Sequence, residues 1–131
     1  MSVQRITEIL ENASFNTSST MSSFDFHLGA TTTGNGNDLP LVGKNKIFVF
    51  ITGLCTSRTL QFKGIDNDGN VYDIVGVKLG DVTFPLAIST TGINECWLFD
   101  DVQGFKYLRM IINAIGGSAP NNTLTVKGVY L

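Results

Sequence analysis

Apolar and polar residues alternate with a period of two over much of the chain, and that period marks strands, whose successive side chains point to opposite faces. It is clearest in residues 104–115, where Leu108, Met110, Ile112 and Ala114 fall on one face and Tyr107, Arg109, Ile111, Asn113 and Ile115 on the other. Gly104 ahead of the run and Gly116-Gly117 behind it supply the breaks. In residues 59–65 Leu60 and Phe62 oppose Gln61 and Lys63; in residues 123–130 Leu124, Val126, Gly128 and Tyr130 oppose Thr125, Lys127 and Val129. Residues 95–99 form a further strand. The pentad Phe24-Asp25-Phe26-His27-Leu28 predicts one with Phe24, Phe26 and Leu28 inward, and the unbroken apolar run Ile47-Phe48-Val49-Phe50-Ile51 predicts one covered on both faces.

Turn residues separate these segments. Asp66-Asn67-Asp68-Gly69-Asn70 predicts a hairpin into a partner strand over residues 71–77, because Asp-Gly is a strong short-range turn signal. Pro85 restricts residues 81–89 to an edge or bulged strand, since proline lacks the ladder donor, and residues 89–92 read as a turn. Residues 31–38 carry Gly34-Asn35-Gly36-Asn37 and read as a loop. At the N-terminus Val3, Ile6, Ile9 and Leu10 recur at spacings of three and four over residues 2–12, which fits a short amphipathic helix that must dock to be ordered, or else an extended arm. The expected fold is all-β: an antiparallel β-sandwich or jelly roll of about eight strands with that helix or arm in front. Residues 1–45 would hold the arm and a Gly/Asn/Thr-rich loop segment, and residues 46–131 the sandwich core, within one domain.

Composition changes the picture in one respect. Only 15% of the 131 residues are charged while 43% are hydrophobic, which is few charges for a monomer that keeps itself soluble. Much of the surface is therefore expected to be covered by partners, or else to be the Thr/Ser/Asn surface of a plain β-protein. A net charge of −2 leaves no basic excess for phosphates, so no nucleic acid is expected. The longest apolar run is far below the roughly 18–20 residues of a membrane-spanning helix, so no membrane is expected, and nothing resembling a signal peptide opens the chain.

Site chemistry is sparse. Cys55 and Cys96 are far apart and have no neighbouring histidine, so free thiols are expected, with no metal and no cofactor. His27 is the only histidine, which leaves a nucleophile without a proton carrier. Asp66, Asp68 and Asn70 have the one-three-five spacing of a calcium loop, but Val71 and Val77 stand where its glycine and closing carboxylate belong. Asp66, Asp68, Asp100 and Asp101 are explained as turn residues rather than catalytic acids. Trp97, Tyr72, Tyr107 and Tyr130 are candidates for an interface or for a glycan, with Trp97 read first as core. Arg109, a charge in a central strand, needs a partner: a loop carboxylate such as Asp100 or Asp101, or a neighbouring molecule.

From about residue 46 onward the order of motifs resembles small β-sandwich domains of tailed-bacteriophage virion proteins. The pieces are Phe48-Val49-Phe50-Ile51-Thr52-Gly53, Leu60-Gln61-Phe62-Lys63-Gly64 with Asp68-Gly69-Asn70, Thr90-Thr91-Gly92, Gly104-Phe105-Lys106-Tyr107-Leu108-Arg109, and Leu124-Thr125-Val126-Lys127-Gly128. The resemblance implies a non-enzymatic structural protein for head decoration, minor capsid or tail. It would be made in the host cytoplasm and built into the virion, as a homo-oligomer in contact with other virion proteins. A carbohydrate-binding β-sandwich module is the alternative.

Overall fold

The period-two segments form strands, and the chain folds as an antiparallel β-sandwich. The computed structural model describes residues 22–80, 87–90, 94–100 and 102–130. Among them no helix occurs, and ten strands follow in order: β1 (Ser22–Ala30), β2 (Leu39–Pro40), β3 (Lys46–Gly53), β4 (Ser57–Ile65), β5 (Val71–Asp73), β6 (Val77–Lys78), β7 (Ala87–Thr90), β8 (Glu95–Asp100), β9 (Tyr107–Gly116) and β10 (Leu124–Tyr130). The helix or arm expected over residues 2–12 lies outside the described residues, as do Phe84-Pro85-Leu86, Thr91-Gly92 and Asp101.

One sheet has the order β1-β10-β3-β8-β6; the other has β2-β9-β4-β5, with β7 also on β4. β5 and β7 divide the free edge of β4 between them, β7 along residues 58–61 and β5 along residues 63–65. Apart from the β4–β5 hairpin, consecutive strands lie in opposite sheets. Each connection thus crosses the sandwich, and the interior is built from pairs distant in sequence. The sheets already include β1 and β2, so the sandwich begins well ahead of residue 46.

The β4–β5 connection is the hairpin expected. The Asp66 N–H donates to the Asn70 carbonyl at 3.0 Å and the Gly69 N–H to the Asp66 carbonyl at 3.2 Å, with Gly69 at φ +85°, where a side chain would strain the backbone. The partner strand is shorter than residues 71–77. It stops at Asp73, and the chain crosses to the first sheet before Val77.

Three expected orientations are corrected, two of them by bulges. Two register shifts in β1, between Asp25 and His27 and between His27 and Ala30, break the alternation. His27 consequently turns inward beside Phe26, and Leu28 is 71% exposed rather than inward. In β9 the shift opposite Thr59 and Leu60 adds Asn113, so Ala114 faces solvent and Ile115 takes the place beside the core that the alternation assigned to Ala114. The third correction is β3: Ile47, Val49 and Ile51 are buried, but Phe50 is 41% exposed. That strand is covered on one face only.

The interior follows from the two inward phases. Phe62 of β4 meets Phe99 of β8 edge-on at 4.6 Å and Trp97 at 5.5 Å, which locks the sheets together through aromatic contact. Gly128 in β10 lets the Phe26 ring cross it; a Cβ there would lie 2.8 Å from that ring. Cys55 is buried and Cys96 half-buried, both as free thiols, and burial pushes the Cys96 thiol up.

Candidate functional site

The outward residues of the two sheets differ in kind. On the first sheet they come from the phase opposite Ile47, Trp97 and Val126. Cross-strand pairing sets Val129, Phe48, Leu98 and Val77 in one row over four strands, and Lys127, Phe50 and Cys96 in the next. Side chains directly opposite in antiparallel strands touch, so each row is a continuous strip, and the first is wholly apolar. At its end lies a groove of about 390 Å³ lined by Lys44, Lys46, Phe48, Asp100, Val129 and Tyr130, with Gly43 and Asn45 from the β2–β3 loop. Lys44 Nζ sits 4.6 Å above the Tyr130 ring.

The outward face of the second sheet carries Tyr107 and Ile111 of β9 among polar residues that pair with one another. Arg109 Nε and Nη2 donate to Asp38 Oδ1 and Oδ2, each at 2.8 Å, and this bonding to Asp38 pushes the guanidinium pKa above its ordinary value. Lys63 is paired with Asp73, which also accepts from Gln61 Nε2 at 3.3 Å, and Gln61 Oε1 accepts from Asn113 Nδ2 at 3.3 Å. Arg109 therefore has an intramolecular carboxylate, but from the loop before β2. Asp100 instead lies on β8 opposite Lys46 in the first sheet, too distant in the topology to serve it.

The four aromatic candidates do not converge. Trp97 is 1% exposed in the core and donates Nε1–H to Glu95 Oε1 at 2.9 Å. Tyr72 packs against Phe105 at 6.0 Å, and its hydroxyl donates to Asp66 Oδ2 at 3.0 Å. Tyr107 lies on the outward face of β9 under Lys106, and Tyr130 stands at the end of β10 in the groove. Only Tyr130 belongs to the apolar end of the first sheet.

The acidic turn is closed on itself. Asp66 Oδ1 accepts the Asp68 and Asn70 backbone N–H groups at 2.9 and 2.8 Å. Desolvation opposes ionisation of Asp66, but the bonds from the Asn70 backbone, the Tyr72 hydroxyl, the Asn70 side chain and the Asp68 backbone outweigh it and hold its pKa below the usual carboxylate value. The same hydrogen bond, with the Asp66 charge, raises the Tyr72 pKa. Among the described residues no group of three or more His, Cys, Asp or Glu is placed to hold a metal, and no helix is long and apolar enough to cross a membrane.

Two buried polar features escaped the pattern reading. Arg58 of β4 and Glu95 of β8 form an ion pair between the sheets, Nη2 to Oε2 at 3.2 Å, with both side chains essentially inaccessible, and Lys78 approaches Glu95 Oε1 at 3.9 Å. The signal was phase: Arg58 is in step with Leu60 and Phe62, and Glu95 with Trp97 and Phe99. His27 Nε2–H donates to the Met110 carbonyl at 2.6 Å. That carbonyl lies on β9 between the Gly34–Ile112 bridge and the β2 pairing, so the imidazole fills a gap in the ladder.

Comparison with known proteins places this architecture. The family model described as XepA matches residues 20–130. The SPbeta prophage-derived protein YomS of Bacillus subtilis (strain 168) is 32% identical over 109 residues, covering 83% of this chain and 86% of YomS. The phage-like element PBSX protein XepA of the same strain is 37% identical over 105 residues, covering 80% of this chain but only 35% of XepA. The crystal structure of YomS superposes with a TM-score of 0.72 at 28% identity, covering 84% of this chain and 91% of that one. The crystal structure of PBSX exported protein XepA gives 0.74 at 34% identity, covering 85% of this chain and 37% of that one.

Proposed function

Because the chain belongs to the XepA family, whose compared members are prophage and phage-element proteins, we propose that it is a non-enzymatic structural protein of a bacteriophage particle. In this reading it assembles with copies of itself and with other virion proteins as a head-decoration, minor-capsid or tail-associated subunit. It is made in the host cytoplasm and ends in the virion.

The observation that carries the reading is the apolar row Val129–Phe48–Leu98–Val77 on the outward face of the first sheet. A β-sandwich needs one buried face per sheet, and this sheet buries Ile47, Trp97 and Val126 on its inner face already. A second apolar face adds nothing to the fold of a single chain. It becomes useful when a protein surface covers it, at about 25 cal/mol for each Å² removed from water. The low charge of the whole chain points the same way. A sugar-binding reading draws less support, since Trp97 is interior and the three tyrosines point to different places.

The test is co-sedimentation of the purified full chain with particles emptied of it. Binding that saturates at a fixed ratio to the major capsid or tail protein is expected. A chain that stays monomeric at high concentration and leaves the particles unbound contradicts the proposal.

A further inference from the structure

We infer that the groove at the end of the first sheet is a docking site for a short acidic and apolar peptide segment of another protein. Among the described residues Arg58, Lys63, Lys78, Arg109 and Lys127 each pair with a carboxylate, whereas Lys44, Lys46 and Lys106 pair with none. Two of those three lysines line the same groove. Lys44 and Lys46 stand at an apolar floor of Phe48 and Val129 beside the Tyr130 ring, and Asp100 is the single carboxylate of the lining, so the rim carries two cations against one anion. The third, Lys106, lies over the Tyr107 ring of β9, in the other sheet.

Charge and surface together select the occupant. A carboxylate answers the lysines, an apolar side chain covers the floor, and a peptide brings both at fixed spacing. In an extended segment residues two apart, about 7 Å, face the same way, so one acidic and one apolar side chain can enter together. The volume of about 390 Å³ lies toward the small end for binding pockets and admits a few side chains rather than a folded surface. A neutral sugar would leave both lysines without a counter-charge, and a nucleic acid would meet a chain of net charge −2. The seated peptide would cover the Val129–Phe48 end of the apolar row and leave Leu98 and Phe50 to a neighbouring copy.

The inference rests on the assembly reading only for the source of the peptide, another virion protein. Its test uses the full chain alone: panning against a library of random hexapeptides, then titration of the most enriched peptide onto the ¹⁵N-labelled chain. Enriched sequences are expected to place Asp or Glu two residues from Leu, Ile, Val or Phe. The peptide should shift the amide signals of Lys44, Lys46, Phe48, Val129 and Tyr130 to saturation and leave Gln61 and Asn113, on the opposite face, where they are. Lys44→Glu/Lys46→Glu should weaken binding about tenfold or more and turn the selection toward Lys and Arg. Lys44→Gln/Lys46→Gln should weaken it without reversing the preference, and Lys106→Glu should leave it unchanged. No enrichment, enriched peptides without acidic residues, shifts away from the groove, or indifference to the Lys44 and Lys46 substitutions overturns the inference. Groove signals that move with protein concentration alone, or with vesicles containing anionic lipid and not with peptide, overturn it too, by giving the groove to a second copy or to a membrane surface. Failed panning leaves particle binding untouched, and particles that stay unbound leave the peptide preference standing.

Discussion

The outer faces of the two sheets are built on the same pleat and carry opposite chemistry. On the second sheet the outward side chains answer one another: Arg109 with Asp38, Lys63 with Asp73, Gln61 with Asp73 and Asn113. These polar side chains find partners within the chain, beside the outward Tyr107 and Ile111 of β9. On the first sheet the central outward row is apolar over four strands, Val129, Phe48, Leu98 and Val77, and ends in Ser23 on β1. The difference teaches that folding pairs the polar side chains of one face within the chain, while the apolar row of the other is the feature on which the assembly proposal rests.

The harshest way to probe this contrast is to part the sheets that carry the two faces. Arg58→Met leaves the buried Glu95 charge with only the Trp97 Nε1–H and the more distant Lys78 beside it, and should cost about 3 kcal/mol in urea unfolding. Both faces should fail in one transition, since the pair belongs to both sheets. Arg58→Met/Glu95→Leu should recover most of the loss; if the double variant is no better than the single, the pair is not the unit that matters.

A milder change separates the faces. Arg109→Met removes the bidentate contact to Asp38 at a site about one-quarter exposed, so the cost should be near the upper end for a surface pair, about 1 kcal/mol. The oligomeric mass should not move. A variant of unchanged stability that no longer assembles would show that the polar face is an interface after all.

The smallest effect concerns the Asp66 turn at the end of the second sheet. Asp66 has a lowered pKa in the fold, so its contribution is complete above the ordinary carboxylate value of 3.8 and is lost as pH falls through the lowered value. Tyr72 has a raised pKa, so its contribution is complete below 10.0 and is lost as pH rises through the raised value. Amide exchange at Asp68 and Asn70 should be slowest, after correction for intrinsic rates, between those limits. Asp66→Asn should flatten the acid side of the profile, with β3 and β10 unaffected.

The strand pattern was readable wherever alternation ran unbroken, as in β4, β8 and β10, because one buried face forces the period of two. It misled where a bulge shifted the phase: nothing in Phe24-Asp25-Phe26-His27-Leu28 says that His27 turns in to reach the Met110 carbonyl and Leu28 turns out. Arg109 announced that it needed a carboxylate, but the choice of Asp38 depends on the crossing from β1 to β2, which brings a distant loop beside β9. The pair of Arg58 and Glu95 was hidden by the habit of assigning charges to the outside, although each is in phase with core aromatics. The apolar outer face was hidden in a different way. An unbroken run such as Ile47-Phe48-Val49-Phe50-Ile51 reads equally as a strand covered twice within one chain and as a strand whose second cover comes from a neighbour.

That last distinction is open to one direct measurement, sedimentation of the full chain beside Phe50→Glu. Phe50 is 41% exposed and opposite Lys127, so a glutamate there gains a cross-strand cation and should leave stability within about 0.5 kcal/mol. The wild-type chain should sediment as a multiple of 14.2 kDa and the variant as a folded monomer. A wild-type monomer, or a variant that associates as the wild type does, would contradict the claim that this face is built for assembly.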